Sequence, residues 1–174
     1  RVLAASLSEC GAEPGNVMIA TKWFPLFRRA ISIRDTFPDR MKYLYPYPVD
    51  LHQVHMPLSF SSIEKQMNDM ADLHDEGKIR AIGVSNFSRK QMEAAFNALG
   101  RRGIPLASNQ VRYNLLDRRI EKNGVMELAK ELGVTIIAYS PLAQGLLTGK
   151  FHNDPELVKR SPGPRKFLRM FKTA

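Results

Sequence analysis

Five short apolar runs alternate with stretches of helical spacing, and this alternation limits the fold more than any other feature. The runs are 17–21 (Val-Met-Ile-Ala-Thr), 49–54, 79–84, the weaker 105–108 and 134–138. The first and last are β-branched and nearly all apolar, the pattern of a strand covered on both faces of a parallel sheet. Ser61 and Glu64 are spaced as a capping box, Ile63, Met67, Met70 and Leu73 follow as one stripe, and Gly77 ends the helix. Ser88 and Gln91 open a second helix carrying Met92, Phe96 and Leu99. A third is expected over 118–132, with Gly133 after it. The opening residues predict a helix to about Cys10, and 34–45 a short helix broken by Pro46 and Pro48.

Strand, helix, strand with short links means right-handed parallel crossovers. Either an open doubly wound sheet or a (β/α)8 barrel satisfies that. No G-x-G-x-x-G follows the first run, which counts against the dinucleotide-binding open sheet. The pattern alone gives the fold class as α/β and leaves both architectures standing; a partial (β/α)8 TIM barrel of about five parallel strands is what the family resemblance described below implies.

The 174 residues, 44% of them hydrophobic, suffice for one core, and no stretch approaches the ~20 apolar residues of a membrane span. Cys10 is the only cysteine, so neither an internal disulfide nor a thiolate metal site is possible within the chain, and a reducing, cytoplasmic setting is the expectation. His52 and His55 lie three apart with no metal-ligand pattern around them, and no metal is expected. The net charge of +9 is scattered except in the stretch 151–174, expected to be a basic loop or tail. No recognition motif accompanies that charge, so nucleic acid is not an expected partner, and neither is a membrane.

Each run ends in a polar, chemically capable group: Lys22, His55, Ser85 with Asn86, Asn109 with Gln110, and Tyr139 with Ser140. In a β/α barrel those carboxyl ends gather at one mouth, where active sites form. Trp23 and Phe24, just past Lys22, are candidates for a substrate pocket. Asp50, a charge inside a strand run, is expected to face the helices and pair with a base.

Several strings, in order, resemble the aldo/keto reductase family. Residues 77–87 (GKIRAIGVSNF) are similar to its fifth barrel strand, 19–22 (IATK) to its lysine-bearing third strand, and 49–57 (VDLHQVHMP) to its histidine-bearing fourth. Residues 109–116 (NQVRYNLL) and 138–150 (AYSPLAQGLLTGK) resemble its sixth and seventh. The resemblance implies reduction of aldehydes and ketones by NADPH, with NAD as the alternative, through a tetrad of Asp, Tyr, Lys and His. It places the lysine at Lys22 and the histidine at His55. It implies that Ser85, Asn86 and Gln110 hold the nicotinamide carboxamide and that Tyr139 stacks on the ring. Ser140, Leu142, Gln144 and Gly145 would then line the pyrophosphate. None of Tyr43, Tyr45, Tyr47, Tyr113 or Tyr139 matches the family's catalytic tyrosine. Residues 1–174 therefore read as an incomplete barrel domain, the third to seventh strands of a fold that takes ~250 residues. Alone they are expected to fold poorly, with two sheet edges unpaired, and to lack activity.

The expected partner is a small carbonyl compound. Two other readings stand beside the reductase: a Schiff-base aldolase using Lys22, and a non-catalytic subunit that binds nicotinamide cofactor for regulation.

Overall fold

The computed structural model describes residues 2–154 and 156–157. Five strands, β1 (Ala20–Trp23), β2 (Val49–Val54), β3 (Ile79–Ser85), β4 (Leu106–Arg112) and β5 (Thr135–Tyr139), form one parallel sheet in sequential order. Helices α2 (Ser32–Asp35), α3 (Phe37–Leu44), α4 (Ile63–Asp75), α5 (Arg89–Gly100) and α6 (Val125–Leu132) fill the crossovers, with α1 (Val2–Glu9) before β1 and α7 (Lys150–Asn153) after β5. The chain divides into two compact units, residues 1–111 with 120–137, and residues 112–119 with 138–174. The tail beyond 157, including the basic run expected there, lies outside the described residues.

Register explains the layering of the first unit. Lys22 pairs with Gln53, Gln53 with Gly83, and Gly83 with Ser108. Side chains alternate along a strand, so this row and the next, His55, Ser85 and Gln110, share one face. The intervening row, Trp23, Val54, Val84 and Asn109, faces the helices and is wholly buried. Ala107 is the extra residue of a bulge between the Ile82 and Gly83 pairings.

The structure revises several boundaries. The central strands β2 and β3, not the first and last runs, are the well-buried ones; β1 and β5 stand at the two ends of the strand order and are half-exposed. The helix expected over 118–132 is broken by Gly124 at φ 80°, leaving a 3-10 turn at Arg119–Glu121 before α6. The segment after Arg34 belongs to two helices, with Pro38 in the first turn of α3, where its missing N–H costs nothing. Ser62, not Ser61, caps α4, accepting from Lys65 N at 3.2 Å; Ser61 Oγ accepts instead from Ala30 N at 2.9 Å. The Ser88–Gln91 box of α5 is present, with Ser88 N donating to Gln91 Oε1 at 2.9 Å. Asp50 is buried as expected: Arg80 donates to its Oδ1 at 2.9 Å and Ile19 N to its Oδ2 at 2.7 Å.

Candidate active site

Lys22 sits near the end of β1 rather than after it, and its half-buried side chain rises on the face it shares with Gln53 and, two residues on, His55. Desolvation holds the Lys22 ammonium below its ordinary pKa. His55 is lowered as well, first by desolvation and then by the charge of Lys22, which marks the two as electrostatic neighbours. At pH 7 the imidazole is therefore neutral beside an ammonium. Phe24 meets the His55 ring edge-on, centroids 5.6 Å apart, and keeps 42% of its surface exposed.

Trp23 and Phe24 take different places. Trp23 is fully buried and its indole N–H donates to Ser32 Oγ at 3.0 Å. Adjacent strand residues point to opposite faces, so the residue after Lys22 packs under α2 and presents nothing to a ligand. Of the expected pocket pair, only Phe24 reaches the surface beside His55.

The next strand ends are tied together by Asn86. Its side-chain amide donates to His55 O at 3.2 Å and to Ser85 Oγ at 3.1 Å, while its backbone N donates to Gln110 O at 2.9 Å. It does so from φ 60°, a left-handed conformation that Asn tolerates better than most residues. Ser85 is fully buried, and Gln110, inside β4 rather than after it, is half-exposed. Asn109 faces the helices: Nδ2 donates to Phe87 O at 3.0 Å. Ser85, Asn86 and Gln110 thus form one hydroxyl-and-amide group at the ends of β3 and β4, next to the end of β2.

Sequence reasoning missed Gln53. It is 1% exposed, in the row of Lys22, with Nε2 at 3.4 Å from both Val84 O and Ser108 Oγ. The available signal was parity: a polar residue two before His55 on the same strand must share its face.

In the second unit the loop after β5 carries three non-glycine residues at positive φ, Ser140 (54°), Ala143 (48°) and Gln144 (58°), the last followed by Gly145 at 98°. Asn114 Nδ2 donates to Ser140 O at 3.0 Å, Gly145 N to Leu142 O at 2.8 Å, and Thr148 Oγ1 to Gly145 O at 2.7 Å. A β carbon at Gly145 would lie 3.3 Å from Lys150 Nζ, so that ammonium stands directly over the glycine. Lys150 was not singled out from the sequence, although it closes the 138–150 string. Tyr139 is the last residue of β5, with its carbonyl facing Tyr113 N at 3.5 Å. Leu142 is 55% exposed.

Among the described residues no group of His, Cys, Asp and Glu could hold a metal, and no helix is long and apolar enough to cross a membrane.

The model of the Aldo/keto reductase family matches residues 1–172. The chain is 39% identical over 157 residues to the Aldo-keto reductase YhdN of Bacillus subtilis, covering 86% of this chain and 45% of that protein. It is 35% identical over 105 residues to the L-glyceraldehyde 3-phosphate reductase of Escherichia coli, covering 60% of this chain and 30% of that protein. The crystal structure of the thermostable aldo-keto reductase Tm1743 superposes with a TM-score of 0.74 at 31% identity, over 91% of this chain and 57% of that one. The glycerol dehydrogenase AKR11B4 of Gluconobacter oxydans gives 0.73 at 30% identity, over 95% and 54%. The chain spans about half the length or less of the curated relatives it matches.

Proposed function

The chain belongs to the aldo/keto reductase family, and we propose that the intact protein reduces an aldehyde or ketone to the alcohol with NADPH. The observation that carries this reading is the pairing of a desolvated Lys22 with a neutral His55 on one face of adjacent strands. A reduced nicotinamide, when bound, supplies hydride to the carbonyl carbon. His55, neutral, donates a hydrogen bond to the carbonyl oxygen and fixes its approach. Lys22 favours the ionised form of a neighbouring phenol and so eases proton delivery to the oxygen. That phenol is the family's tyrosine, which none of the five tyrosines here matches, so the 174-residue chain alone is proposed to be inactive.

The donor set suits the cofactor. A carboxamide offers one acceptor and two donors, and Ser85, Asn86 and Gln110, close together at neighbouring strand ends, carry hydroxyl and amide groups that match it. Tyr139, at the nicotinamide ring, and Ser140, Leu142, Gln144 and Gly145, at the pyrophosphate, keep the roles that the family resemblance implies. Phe24 fits an apolar portion of the carbonyl substrate.

In the intact protein, NADPH oxidation with benzaldehyde should fall ~100-fold or more in kcat for Lys22→Met and for His55→Gln. Quenching of protein fluorescence by NADPH should persist in both. Wild-type turnover by either variant overturns the reading. The lowered Lys22 pKa also suits a Schiff-base nucleophile; borohydride trapping of an aldehyde on Lys22, with NADPH oxidation absent, would favour the aldolase instead. Cofactor quenching without turnover in the wild type would favour the non-catalytic binding subunit.

A further inference from the structure

Behind Lys22, on the helix side of the sheet, lies a cation that the active-site reading does not use. Arg40 belongs to α3, and one of its terminal nitrogens donates to Lys22 O at 2.7 Å and to Thr21 Oγ1 at 2.9 Å. The guanidinium is half-buried and makes no ion pair among the described residues, and its Nε is buried without a partner. Desolvation holds it below its ordinary pKa, and the neighbouring charge of Arg28 adds to that. Arginine at a structural helix position is usually either solvated or paired with a carboxylate, since burying it otherwise is costly. Here its hydrogen bonds go to the end of β1, at the residue whose side chain enters the proposed site.

We propose that Arg40 is a positioning residue for Lys22, a half-buried guanidinium clamp on the backbone of the strand end that carries the ammonium. The inference rests on the reading of Lys22 as part of the reductase machinery. Its physical content is specific. β1 is only four residues long, so a bond to the peptide near its end adds to a short ladder. A charge-assisted bond to Lys22 O fixes the peptide plane there, and with it the direction in which the Lys22 side chain leaves the strand. His52, fully buried on the same side and edge-on to Phe37 of α3 at 5.5 Å, keeps α3 seated against β2, so Arg40 reaches β1 from a rigid base.

The test uses the intact protein, with NADPH and benzaldehyde. Arg40→Met should lower kcat ~10-fold or more, as expected for misplacing a catalytic group by a fraction of an ångström, with the KM for benzaldehyde and NADPH quenching changed less than ~2-fold. Arg40→Lys, which can still donate to Lys22 O, should recover most of the loss. Adding Lys22→Met to Arg40→Met should cause no loss beyond that of Lys22→Met alone, because both act through one group. Full loss on adding the two, or wild-type kcat in Arg40→Met, overturns the clamp. If Arg40→Met does not fold, Arg40→Gln, whose shorter side chain cannot reach Lys22 O, decides: a kcat lowered ~10-fold that adds no loss to that of Lys22→Met supports the clamp, and an unchanged kcat overturns it. Should Lys22→Met itself turn over like the wild type, it is the reductase reading that fails, a result distinct from an inert Arg40.

Discussion

Ser108 Oγ occupies the space that a side chain on Gly83 would need, well inside contact distance of where a β carbon would stand. Gln53 Cγ would be 3.0 Å away on the other side. The bare backbone of β3 lets Gln53 reach across toward Ser108, from the second strand to the fourth, along the row that begins with Lys22. Gly83→Ala should therefore destabilise the protein by ~1–3 kcal/mol, the usual cost of overpacking. Adding Ser108→Gly should return part of it. Urea unfolding of the single and double variants checks this, and equal stability of Gly83→Ala and wild type would contradict the packing described.

His52 makes stability depend on pH. Burial pushes its pKa down to about 3, with the charge of Arg40 in the same direction and the Thr21 backbone opposing. The unfolded chain binds this proton from about pH 6.5 downward, and the folded protein does not until about pH 3. In that window the unfolded state holds more protons, so the stability present above pH 6.5 is progressively lost on acidification. Between pH 7 and pH 5 the loss attributable to His52 is about 2 kcal/mol. His52→Leu should flatten this part of the profile, as measured by urea unfolding at the two pH values. An unchanged slope would show that His52 is not the group responsible.

Asp50 and Arg80 are unequal partners. The carboxylate is 6% exposed and also receives Ile19 N, whereas Arg80 is 66% exposed. Arg80→Ala leaves the buried carboxylate without its cation but still bonded to Ile19 N, and should cost ~1–3 kcal/mol. Asp50→Ala strands a buried N–H and should cost ~1–3 kcal/mol more. Thermal unfolding of both variants gives the order, and a reversed order would mean that the ion pair, not the bond to Ile19, is what matters.

Asn86 separates backbone shape from side-chain chemistry. Asn86→Gly keeps access to φ 60° but loses the amide bonds to His55 O and Ser85 Oγ; Asn86→Ala loses both advantages. Both should weaken NADPH quenching. Asn86→Ala should also lower the unfolding free energy by ~1 kcal/mol relative to Asn86→Gly. Unaltered NADPH affinity in both would remove Asn86 from the cofactor site.

Much of this was legible before any coordinates. The helices α4 and α5 follow from apolar spacing, because their buried residues, Met67, Met70, Leu73, Met92 and Leu99, recur at the period of a helix laid on a sheet. Lys22 and His55 could be placed near strand ends because each closes an apolar run. Boundaries were less legible. Two adjacent serines, Ser61 and Ser62, both suit a cap, and only the approach of Ala30 N to the first leaves the second for α4. Gly124 reads as one weak helix residue until its φ of 80° shows a break.

The order of local periodicities along one chain determined that strands and helices alternate, that the strands run parallel, and which polar residues close them. Such patterns record what each segment must bury by itself, so a linear string suffices to read them. Only the tertiary structure decided which face each strand residue takes, and so sent Trp23 under α2 while Phe24 met His55, set Gln53 beside Lys22, and brought Arg40 from α3 to the Lys22 carbonyl. Those outcomes depend on register between strands distant in sequence, and a shift of one residue would reverse every one of them.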